Sequence, residues 1–172
     1  MSFDLGFIEF RDEWLQDLLW NKLDPKDFYQ SDRYTKIDLM KHLEQMNSQG
    51  LCYFWGSKSL GFVVRANLPN RFVLEPHVVG DVSHWKTIQP ILFDFAFNHM
   101  GILKTNVYTP YRSIKGILVR SGFTLEGTLK DSYIDKQGYL KPYYILGLTK
   151  DEFLKLSTTP TSRLYRPIHV DG

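Results

Sequence analysis

The sequence predicts an α/β fold, a mixed sheet with helices on both faces. Three observations lead there. Strand-like and helix-like segments follow one another in the order β-α-α-β-β-β-α-β-α-β-β. A strand–helix–strand crossover in the middle requires parallel pairing. Hairpin signals on either side of it require antiparallel pairing.

The bulk properties suit one globular domain over residues 1–156, followed by a polar arm over 157–172. At 172 residues the chain is long enough to bury a core without metals or disulfides. It is 43% hydrophobic and 23% charged, with aromatics at 15%, so Phe, Tyr and Trp should dominate packing. A formal charge of +2 without long like-charge runs argues against a nucleic-acid or membrane-surface binder. Cys52 is the lone cysteine and reads as a small core residue. His42, His77, His84, His99 and His169 show no ligand spacing, so no metal site is expected. There is no leader pattern and no apolar stretch of spanning length, so the expected location is cytoplasmic.

Phe7, Ile8 and Phe10 suggest a first strand. Asp12 is placed to cap a helix carrying Trp14, Leu15, Leu18 and Leu19, which Pro25 ends. Thr35 to Asp38 reads as a capping box, with Ile37, Met40, Leu43 and Met46 on one face of the helix that follows. Strands are expected over 51–55, 60–65 and 71–79, the last interrupted by Pro76, which implies a bulge or an opened edge. The next helix is strongly apolar, with Ile88, Leu92, Phe95 and Met100 as its stripe and Gly101 beyond its end. Thr87 is the preferred cap, because it leaves Pro90 harmless in the first turn. A strand over 103–108 leads to Thr109-Pro110, read as N-cap and first helical residue. That helix should carry Tyr111, Ile114 and Leu118 on one face and close at Gly122. Strands over 123–134 and 143–149 flank the turn Asp135 to Gly138, and a short helix follows over 151–156.

Several runs carry a resemblance: Ile91 to Phe97, Arg120-Ser121-Gly122-Phe123, Leu125 to Asp131, and Tyr143 to Leu148 leading into Asp151-Glu152-Phe153. Together with the element order, this resembles the GNAT superfamily, particularly its ribosomal-protein and protein N-terminal acetyltransferase branch. The resemblance covers about the last two thirds of the chain. It implies an acetyl-CoA-dependent N-acetyltransferase acting on an amine of a protein or peptide. It also implies a sheet splayed between its fourth and fifth strands, here 71–79 and 103–108, with acetyl-CoA in the gap.

The cofactor-binding positions implied are Val78 and Val79 on the strand, Gly80, Ser83, His84 and Lys86 in the loop, and Asn106 opposite. The loop departs from the family. Only Gly80 is retained where glycines let backbone approach phosphate, and Asp81 brings a negative charge toward a diphosphate. That departure keeps a second reading open, a non-catalytic adaptor binding assembly partners, similar to GNAT-like phage head-assembly proteins. For catalysis, Glu75 and His77 lie two apart on one strand face and either suits a general base. Tyr108, at the end of its strand beside Asn106, is the third catalytic candidate. Tyr133, Tyr139, Tyr143 and Tyr144 cluster in the last hairpin, either as a ligand surface or as sheet packing.

Overall fold

Asp12 does open the first helix: its carboxylate accepts from the backbone N–H of Trp14 at 2.9 Å and of Leu15 at 3.4 Å. A computed structural model describes residues 6–25, 28, 33–56, 63–66, 72–79, 85–135 and 137–158. The chain divides into two units, residues 1–71 with 75–84, and residues 72–74 with 85–172.

The first unit contains β1 (Gly6–Phe7), α1 (Glu13–Lys22), α2 (Lys36–Ser48), β2 (Cys52–Tyr53), β3 (Trp55–Gly56) and β4 (Val63–Ala66). It also takes the last three residues of β5 (Val73–His77). The expected 51–55 strand breaks in two. β2 pairs antiparallel with β4, whereas β3 pairs antiparallel with β1. Phe54 sits at the break, fully buried, its ring 5.2 Å from Phe10 and its carbonyl accepting from Ile8 N–H. Burying that ring takes precedence over continuing one ladder.

The Thr35–Asp38 capping box forms as expected, with Thr35 N–H donating to Asp38 at 2.8 Å and Asp38 N–H to Thr35 Oγ1 at 3.2 Å. The buried face of α2 is Leu39, Leu43 and Met46. Ile37 is 56% exposed, which corrects its placement on the face of Leu43 and Met46: two residues before Leu39, it falls on the side of α2 away from the buried stripe. Leu15, Leu19, Leu43, Phe54 and the buried Cys52 belong to one apolar cluster in this unit.

The second unit contains α3 (Trp85–Asn98), β6 (Lys104–Thr109), α4 (Arg112–Arg120), β7 (Thr124–Ile134), β8 (Leu140–Thr149) and α5 (Lys150–Thr158). Val73 and Leu74 of β5 pair parallel with Lys104 and Thr105, the pairing that the crossover demanded. β8 lies antiparallel between β6 and β7. The mixed α/β architecture is therefore the expected one.

Two helix starts differ from the sequence expectation. α3 begins at Trp85 rather than after Thr87, so Pro90 lies inside the helix, in its second turn. The missing N–H there leaves one carbonyl of the preceding turn without its helical donor. Packing outweighs that loss, since Ile88, Leu92, Phe93, Ala96 and Phe97 are all almost fully buried. Phe95 is rotated off this face and stacks on His99 at 5.6 Å.

α4 begins at Arg112 instead of Pro110, with Tyr111 at the N-cap and no side-chain cap. Thr109 completes β6, and its hydroxyl accepts from Tyr111 N–H at 3.2 Å in a turn. Of the expected apolar face only Leu118 is buried. Tyr111, at the N-cap, and Ile114, in the first turn, are exposed. Gly122 closes α4 with φ +101, as a residue beyond a helix end often does.

Candidate functional site

In the first unit, strand alternation puts Glu75 and His77 on one face of β5 with Pro76 between them. Glu75 Oε1 lies 3.9 Å from His77 Nε2, and both side chains are mostly buried. The imidazole is fixed by Phe28, whose ring centroid lies 4.8 Å away, and Phe28 also meets His42 edge-on at 6.0 Å. A carboxylate beside a partly buried imidazole can hold and pass a proton. Val78 and Val79 lie beyond the end of the strand, which stops at His77, and Val79 is buried. Gly80, Asp81, Ser83 and His84 lie outside the described residues.

In the second unit, β6 carries Lys104, Asn106 and Tyr108 on one face. Lys104 Nζ is bound to Glu126 at 2.7 Å. That ion pair crosses directly over Gly147, where an added Cβ would meet both Glu126 Oε1 and Lys104 Cε. Asn106 Oδ1 is buried and has no hydrogen-bond partner among the described residues. A buried acceptor in that state is the kind of atom that a ligand N–H satisfies. Lys86 is exposed at the second residue of α3.

Tyr108 is held by rings. It stacks on Tyr143 at 6.2 Å, Tyr143 stacks on Tyr133 at 6.0 Å, and Tyr133 meets Tyr111 edge-on at 6.4 Å. This file of tyrosines leads to a cleft of about 610 Å³, whose lining includes Tyr111, Arg112, Tyr133, Asp135, Lys141 and Tyr144. The sequence singled out the hairpin tyrosines but not Arg112. Its signal was available: a cation at the first residue of a helix opposes the helix dipole, and so asks for another reason to be there.

No protein-family model matches the sequence, and no curated protein matches it either. Solved structures do match. A spermidine N-acetyltransferase SpeG chimera from Vibrio cholerae and hSSAT superposes with a TM-score of 0.63 at 15% identity, over 88% of this chain and 97% of that one. The Vibrio cholerae spermidine N-acetyltransferase in complex with CoA and spermine gives 0.63 at 13% identity, over 87% and 96%. A probable GNAT-family acetyltransferase from Chromobacterium violaceum gives 0.57 at 16% identity, over 87% and 83%. At these identities the likeness is one of fold, and the fold is that of the GNAT acetyltransferases.

Proposed function

We propose that the chain is an acetyl-CoA-dependent N-acetyltransferase of the GNAT superfamily, acting on a primary amine. The supporting observation is the fold, shared over nearly the whole length of enzymes named for this reaction. The sequence resemblance to the protein N-terminal acetyltransferase branch favours a protein or peptide amine. The neighbours named for spermidine make a small-molecule amine the second acceptor to assay.

Acetyl-CoA, when bound, would supply a thioester whose carbonyl carbon takes the amine while its C–S bond breaks and CoA leaves as the thiol. Asn106 Oδ1, buried and without a partner among the described residues, suits an amide N–H of the cofactor. Lys86, in the first turn of α3, brings positive charge for its phosphates, and Val78 and Val79 offer backbone groups beyond β5. Gly80, Ser83 and His84 complete the proposed phosphate contacts. Glu75 and His77 are the candidate bases, taking a proton from the ammonium form of the acceptor directly or through a water. The ring of Tyr108, packed on Tyr143, belongs to the proposed catalytic set on the second unit.

Thermal melting with acetyl-CoA tests the reading. Cofactor at about a hundred times its Kd adds about 2.7 kcal/mol, a rise of several degrees. Glu75→Gln and His77→Ala should then lower turnover while leaving that rise intact. No shift at millimolar acetyl-CoA would defeat the proposal and favour the assembly-adaptor reading.

A further inference from the structure

The cleft at the start of α4 has a chemistry of its own, built wholly from the second unit. Its volume of about 610 Å³ lies in the range of small-molecule sites. Three of its walls are the rings of Tyr111, Tyr133 and Tyr144. Its charged groups are Arg112, Lys141 and Asp135.

Asp135 is already committed. Its Oδ1 accepts from the N–H groups of Gln137 and Tyr139, at 3.0 and 2.9 Å, and its Oδ2 lies 3.7 Å from Lys141 Nζ. Arg112 is not. Its Nε donates to Tyr144 Oη at 3.4 Å, and no carboxylate of the described residues lies within 4.0 Å of it. The guanidinium is thus anchored on one side and retains its terminal N–H groups. Lys115 Nζ sits 4.5 Å over the Tyr144 ring, adding positive charge nearby. The cleft therefore combines flat aromatic walls with an excess of positive charge. The excess charge disfavours a polyamine and suits an anion, and the rings suit an anion attached to an aromatic group.

We infer that this cleft binds a small aromatic carboxylate, with the carboxylate on Arg112 and the ring against Tyr111 and Tyr133. The inference does not depend on the transfer reaction, because it concerns binding alone.

Titration of the full chain with phenylacetate, followed calorimetrically without acetyl-CoA, tests it. Phenylacetate should bind, and Arg112→Gln should weaken it at least about tenfold, as expected for one charge-assisted pair. Arg112→Lys should retain much of the affinity, and Tyr133→Ala should lose it while Arg112 remains. Benzyl alcohol and acetate, each lacking one half of the probe, should bind more weakly, and spermidine should not displace it. Equal binding of benzyl alcohol, displacement by spermidine, or unchanged affinity in Arg112→Gln with its circular dichroism intact would each overturn the assignment.

Discussion

Among the described residues, the strands of the first unit run two to four residues, whereas β6, β7 and β8 of the second run six, eleven and ten. The two units are consequently held in different ways. The first depends on one apolar cluster between capped helices and short ladders. The second adds to its own core two long ladders around β8 and a set of packed rings. Short ladders leave little hydrogen bonding in reserve when side-chain packing is lost. The first unit should therefore open locally at lower free energy than the second.

Large core deletions break that comparison most strongly. Phe97 is fully buried and touches Phe93 and Phe153, so Phe97→Ala should cost about 3–5 kcal/mol. Leu43→Ala, equally buried in the first unit, should cost about 2–5 kcal/mol. The distinguishing measurement is amide exchange. Leu43→Ala should erase protection of the β2–β4 ladder, while Phe97→Ala should leave residual protection at the centre of β8. Complete loss at β8 would show that its ladders depend on the core as fully as the short ones do.

A smaller effect separates two glycines that follow helices. Gly50, after α2, has φ +66 and nothing within 4 Å of an added Cβ. Gly122, after α4, has φ +101, and its added Cβ would fall on Leu156 Cδ1. Gly50→Ala carries only the left-handed backbone penalty, about 1–2 kcal/mol. Gly122→Ala adds a steric shift of Leu156 and should cost about 1–3 kcal/mol more. A smaller fall in Tm for Gly122→Ala than for Gly50→Ala would contradict this.

The legibility of the sequence follows the range of the forces involved. Asp12, Thr35 and Gly122 act within three or four residues of themselves, and each was readable from its neighbours. So was the Asp135 turn, whose flanking strands pair as expected. Another local signal, Thr149 three residues before Glu152, was available and would have placed the start of α5. The misread starts of α3 and α4 come from longer range. Pro90 is tolerated only because the helix packs five large or tightly fitted side chains, and Thr109 is held in β6 by its register with Tyr144. Of the candidate site, the Glu75–His77 alternation and Asn106 were visible. The cleft was not, because Arg112, just after β6, and Lys141, on β8, are brought together by the pairing of β6 with β8, across 29 residues.

The two capping boxes give the finest comparison, since the same chemistry occurs once in each unit. Thr35 with Asp38 opens α2, and Thr149 with Glu152 opens α5. Thr35→Ala removes one hydroxyl acceptor and should cost about 1 kcal/mol. Thr149→Ala removes the same acceptor at the end of β8, where the residue is also paired with Lys104, so its cost should be at least as large. The two boxes also invite a pH test. Hydrogen bonds from the Thr35 backbone and hydroxyl hold the Asp38 carboxyl below its ordinary value of 3.8, a smaller pull coming from Lys41. A lowered folded-state pKa means that the box contributes fully above that ordinary value and loses its contribution as pH falls through the folded-state one. Amide exchange in the first turn of α2 should therefore quicken only below about pH 4, in the wild type and not in Asp38→Asn. Acid-induced fraying of equal size in both proteins would assign the effect to another carboxylate.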